Sequence, residues 1–170
     1  MTTWIQTYTG RRFDLLEPRM ADVDIRDIAH ALSQQCRFNG HCRQFYSVAE
    51  HSVRVAALLP PELELCGLMH DAAEAYVGDM VSPLKDRLIS FVSIEHEIMK
   101  VLAGIFYFEW PMPEEVKMSD ERLCVTEGRD LMGGTEGWGI DAVALDETIR
   151  PWCAEVAELR FLSAHERFLH

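Results

Sequence analysis

The chain has no uninterrupted apolar run near the roughly 18 residues that a membrane span needs, and its polar, acidic start has no signal-peptide pattern. Both absences predict a cytoplasmic protein with no membrane partner. Basic residues are scarce: 16 Lys and Arg stand against 28 Asp and Glu, a net charge of −12 over 170 residues. That balance excludes the wide basic footprint of a protein that binds nucleic-acid backbone. Any phosphate-bearing ligand must therefore be captured by a local cluster of cations. The five cysteines are an odd number and never form Cys-x-x-Cys, a usage that fits a reducing compartment. Internal repeats, low-complexity tracts and linker-like shifts are also missing. One domain over residues 1–170, long enough to bury a sizeable core, is the expectation.

Helical punctuation dominates what is present. Residues 4 to 14 alternate loosely around Gly10 and predict a short N-terminal hairpin. After Pro18 the pattern predicts helices over about 24–35, 47–59, 61–77, 83–106, 113–132 and 146–169, and hence an all-α fold. Ser47-x-x-Glu50 reads as a capping box, and Pro61, Pro83 and Pro113 each suit a first helical turn. Gly78 closes the third helix, and Gly133-Gly134 closes the fifth.

Charge placement on these helices is unusual. At 100° per residue, Leu65, Leu68, Met69, Ala72, Ala73 and Tyr76 form one apolar stripe of the third helix. His70, Asp71 and Glu74 gather opposite, beyond Gly67, which would let something approach closely. His51 falls on the inward side of the second helix with Val55 and Leu58. Asp120 and Glu127 share the apolar face of the fifth with Val116, Leu123, Cys124 and Leu131. Buried carboxylates are costly unless paired. One divalent ion held by His51, His70, Asp71 and Asp120 would satisfy them together; a hydrogen-bonded His–Asp network without metal is the competing reading.

The order His51, His70-Asp71, Asp120 resembles the H…HD…D signature of the HD-domain metal-dependent phosphohydrolases. His70-Asp-Ala-Ala-Glu74-Ala-Tyr-Val-Gly78-Asp79-Met-Val-Ser-Pro83-Leu-Lys85 is similar to the matching segment of bacterial 5′-deoxynucleotidases. So are Ser47-Val-Ala-Glu50-His51-Ser52 and Lys117-Met-Ser-Asp120. Upstream, Asp27-Ile-Ala-His30-Ala-Leu-Ser33 and Cys36-Arg37-Phe38-Asn-Gly-His41 resemble short HD hydrolases of bacteria and phages. The likeness covers roughly residues 25–130. Only 18 residues lie between His51 and His70, a spacing short for the deoxynucleotidases.

The resemblance implies an HD-domain helical bundle that hydrolyses phosphate esters of small nucleotides, with deoxynucleoside 5′-monophosphates first, by attack of a metal-bound water. It implies one divalent ion per chain (Mn, Co, Fe, Ni or Zn) and a homo-oligomer, dimer or higher, with Trp138, Trp152 and Phe106-Tyr107-Phe108 as candidate contacts. Glu74 is assigned proton transfer or orientation of the attacking water, Asp79 a place beside substrate or as a second acid, and Arg37 a phosphate clamp. Two alternatives stay open: triphosphohydrolysis of deoxynucleoside triphosphates, and a metal-containing nucleotide-sensing module without turnover.

Overall fold

A computed structural model describes residues 2–168, and it is mostly helical with one antiparallel hairpin at the N-terminus. Strands β1 (Trp4–Gln6) and β2 (Arg12–Asp14) pair with Ile5 opposite Phe13. Gly10, at φ +84°, takes the left-handed step of the connecting turn. Phe13 is fully buried and stacks on Tyr76 at 3.8 Å. Asp27 holds the turn down by accepting from the Thr9 N–H (2.6 Å) and hydroxyl (2.9 Å).

Helix α1 (Ile25–Gln34) begins at Asp24, whose carboxylate accepts from the Arg26 N–H. The chain then turns through a short 3-10 segment (Phe38–Gly40), with Phe38 and Asn39 at φ +54° and +51°, before reaching α2 (Val48–Ala57). Ser47 caps α2 by accepting from the Glu50 N–H at 3.1 Å. The predicted capping box is only half formed. Buried Glu50 turns instead to Arg54 (2.9 Å) and to the Trp152 N–H (2.7 Å), tying α2 to the C-terminal segment.

The helix expected over 61–77 is two pieces, α3 (Glu64–Met69) and α4 (Glu74–Val77). Between them the turn tightens to i→i+3 bonds, with Ala72 N–H to Met69 O at 3.0 Å and Glu74 N–H to Asp71 O at 3.0 Å. Gly67 admits a neighbouring backbone rather than a ligand: a Cβ there would lie 3.0 Å from Ala56 Cα and strike Leu59. The helix expected over 83–106 is likewise divided, into α5 (Ser82–Lys85) and α6 (Ile89–Phe106), because Leu88 leaves the helical region at φ −116°, ψ 72°. Lys85 spans the break to Glu95 at 2.7 Å.

Helix α7 (Glu114–Leu131) follows Pro113 as expected. Helix α8 (Ala154–Glu166) starts eight residues later than predicted, and the predicted end at 169 lies outside the described residues. The preceding stretch is claimed by tertiary bonds that a helix would need for itself: Ile149 N–H goes to Asp130 and Trp152 N–H to Glu50, while Arg129 takes the carbonyls of Leu145 and Glu147. Helices α1, α2 and α8 pack together around Ile28, Leu32, Val55 and Phe161, all fully buried. Trp152 lies between the guanidinium groups of Arg54 and Arg160, and Phe108 is buried. Tyr107, 90% exposed, is the residue of that aromatic run that stands in solvent.

Candidate metal centre

The centre is built where α2, the α3–α4 turn and α7 meet. Val48, Val55 and Ala56 bury the inner face of α2 and carry His51 in with them, so that its side chain is fully inaccessible. The tightened turn presents His70 and Asp71 side by side, and α7 contributes Asp120, whose side chain is 36% exposed. His51 Nε2 and His70 Nε2 stand 3.3 Å apart. Asp120 Oδ1 lies 3.0 Å from the first and 4.0 Å from the second. Asp71 Oδ2 lies 3.1 Å from His70 Nε2 and 3.8 Å from His51 Nε2.

The outer nitrogens fix the direction of both rings. His70 Nδ1–H donates to the Gly67 carbonyl at 2.8 Å, and His51 Nδ1–H donates to Glu127 at 2.5 Å. Both Nε2 atoms are thereby free to face the same point as ligands. Two nitrogens each roughly 2.0–2.1 Å from a tetrahedral ion stand about 3.3 Å apart, the separation seen here. His51, His70 and Asp120 could hold a metal ion, since one donor atom from each falls within 4.8 Å of the others. Asp71 adjoins the two imidazoles of that group.

Without an ion a proton takes part of its place. Burial and the Arg37 guanidinium act against a charged His51, but the Glu127 and Asp120 carboxylates outweigh them and push its pKa up to about 9. Burial opposes ionisation of Asp71 and Asp120, yet the adjacent imidazoles hold both below the usual carboxylate range. Glu127 is fully buried and also ionised, with Arg37 and His51 overcoming its burial.

Arg37 was expected at the phosphate. Its Nε donates to Glu127 at 3.1 Å and one terminal nitrogen lies 3.6 Å from Asp71, so the guanidinium is held by two carboxylates of the site. Glu74, on α4, is 6% exposed, and one carboxyl oxygen is buried with no partner among the described residues. Burial, then the Asp71 and Asp79 charges, raise its pKa well above the carboxylate range and keep it protonated. Asp79 follows Gly78, the C-cap of α4 at φ +86°, and burial raises its pKa too. Gln35 had no sequence signal, being a lone amide past a helix end. It accepts from the Asp79 N–H (2.9 Å) and donates to the Glu74 carbonyl (3.0 Å), pinning both ends of α4.

A cavity of about 500 Å³ opens beside His70, Asp71 and Asp120 and extends between α6 and the start of α7. Among the histidines without motif context, His30 pairs with Glu158 at 3.0 Å and His165 is buried against Phe106; His96 lines this cavity, and His170 lies outside the described residues.

An all-α protein with an N-terminal hairpin and a His/His/Asp group able to hold a metal is what fold and site define. No family model matches the chain. The uncharacterised protein YfdR of Escherichia coli is 40% identical over 129 residues, which is 76% of this chain and 72% of that protein. An uncharacterised protein of Rhodobacter capsulatus is 33% identical over 153 residues, covering 78% of this chain and 75% of that one. The chain belongs to the family of these two proteins. No helix of the described residues is long and apolar enough to cross a membrane.

Proposed function

We propose that the protein is a metal-dependent phosphohydrolase of the HD-domain kind, acting on phosphate esters of small nucleotides. One observation carries this reading: two imidazole Nε2 atoms 3.3 Å apart, beside two carboxylates that the imidazoles hold ionised, next to the buried Glu74 carboxyl. A purely structural His–Asp network has no use for Glu74, one of whose buried carboxyl oxygens has no partner among the described residues.

His51, His70 and Asp120 would hold one divalent ion, with Asp71 completing the set. The mixed nitrogen and oxygen donors suit Mn, Co, Fe, Ni or Zn. Such an ion supplies Lewis-acid polarisation and lowers the pKa of water at neutral pH. Glu74 exchanges a proton with the attacking water or the leaving oxygen, and Asp79, just past the other end of α4, is the second acid. Glu127 holds the His51 ring in place and anchors Arg37. The remaining N–H groups of Arg37 are what it offers to a phosphoryl oxygen.

Monophosphates rank ahead of triphosphates on charge. The lysines lining the cavity each face a glutamate, Lys85 with Glu95 at 2.7 Å and Lys117 with Glu114 at 3.7 Å, which leaves a polyphosphate chain poorly matched. The test is metal analysis of the purified protein, followed by incubation of nucleoside mono-, di- and triphosphates with Mn, Co and Mg. Bound metal and orthophosphate from deoxynucleoside monophosphates are expected. Tripolyphosphate as product would move the reading to triphosphohydrolysis. Bound metal with no product from any nucleotide would leave a sensing module instead.

A further inference from the structure

The cavity beside the metal ligands is lined by two chemically different groups of residues: His70, Asp71 and Asp120 on the one hand, and Val92, Met99, Met112, Val116 and Trp110 on the other. The His96 ring stands 5.2 Å from the Trp110 ring, inclined by 48°. The two lysines of the lining each have a glutamate beside them, Lys85 with Glu95 and Lys117 with Glu114. A ligand held at the metal ligands would therefore meet mainly apolar and aromatic surface beyond them. Apart from Val116 on α7, this wall comes from α6 and the 107–113 connection, two segments that carry no part of the H…HD…D motif. A volume of about 500 Å³ falls within the usual range for a site that encloses a small organic ligand.

We propose that Trp110 and His96 form the subsite for the organic group of the ester, and that this group is a flat, uncharged aromatic ring such as a nucleobase. Rings 5.2 Å apart and mutually inclined offer one face and one edge to such a group. The methionines accommodate bases of different outline because their side chains are unbranched and adaptable. Trp110 is thus a specificity-determining residue. The proposal rests on the phosphoester reading of the site, but concerns which esters bind rather than whether they are cleaved.

Calorimetric titration of the manganese-loaded protein with deoxyadenosine 5′-monophosphate and with 2-deoxyribose 5-phosphate tests it, since the two differ only by the base. The nucleotide should bind roughly tenfold or more tightly, the scale of one base–aromatic stack. Trp110→Ala should abolish that preference while metal content and binding of the sugar phosphate stay unchanged, and Trp110→Phe should retain most of it. His96→Ala, at an exposed position, should weaken nucleotide binding in the same sense and guards against misfolding of the tryptophan variant. Equal wild-type affinity for the two compounds, or a full preference in folded Trp110→Ala and His96→Ala, would overturn the subsite. Nucleotide binding without turnover would remove the hydrolase reading and leave the subsite standing. Binding of neither compound would remove both.

Discussion

Replacing Glu127 by glutamine separates the two things that this carboxylate does. It is fully buried, accepts from His51 Nδ1–H at 2.5 Å and from Arg37 Nε at 3.1 Å, and is ionised. An amide of the same shape can still accept from one of these donors, but its NH₂ then faces the other. Breaking a buried ion pair costs about 3–5 kcal/mol, so the melting temperature should fall by roughly 6–20 °C at this chain length. The metal should also feel the loss, because removing a carboxylate behind a ligating histidine weakens binding by about 10–100-fold. The size of that loss depends on pH. Metal binding must displace the proton that His51 carries below about pH 9, and wild-type affinity should weaken by about tenfold for each unit below that value. Glu127→Gln loosens the same proton. Its deficit should therefore be full above about pH 9 and smaller near neutrality, the competing proton having been partly removed. Titration with chelator-buffered cobalt at both pH values, with the folded state checked by circular dichroism, measures this. Equal affinity of variant and wild type above about pH 9, despite a lowered melting temperature, would mean that Glu127 is structural alone.

Three further outcomes are expected. Glu74→Gln should keep its metal and lose about 10²-fold or more in turnover, the scale of a positioned acid or base; unchanged turnover would remove its role. In the metal-free protein His51 has a folded pKa of about 9 against an ordinary 6.5, so its contribution to stability is complete below about 6.5 and lost as pH rises through about 9. Thermal melts in chelator should decline across that window, and His51→Gln should flatten the profile there. Gly67→Ala places a methyl group against Ala56 and Leu59, and should cost about 1–3 kcal/mol by overpacking, read as a lower denaturant midpoint with α2 and α3 forced apart.

The helices with a single clean apolar face, α1, α2 and α7, lie within two residues of their expected bounds, because cap and stripe agree there. Misreadings fall where something outside the local sequence competes for the backbone. Residues 146–153 look helical by composition, but their N–H and C=O groups are claimed by Asp130, Glu50 and Arg129 from other helices. The tight turn at 70–73 and the break at 86–88 contain no proline or glycine, so nothing local announced them.

Side-chain type and helical phase alone determined that His51, Asp120 and Glu127 point inward and that His70 and Asp71 share one side of their helix, since 3.6-residue periodicity fixes direction whatever lies opposite. Distances between segments were beyond its reach. Only the packing of α2 against the α3–α4 turn and α7 decided that the two imidazoles meet at 3.3 Å, that Glu127 stands behind His51, and that Arg37 turns toward carboxylates instead of open solvent. The wall of Trp110 and His96 was equally invisible, since its two residues come from different segments, α6 and the connection after it, and meet only in the folded chain. Periodicity orients a residue on its own element, whereas the position of that element depends on side chains far away in the chain.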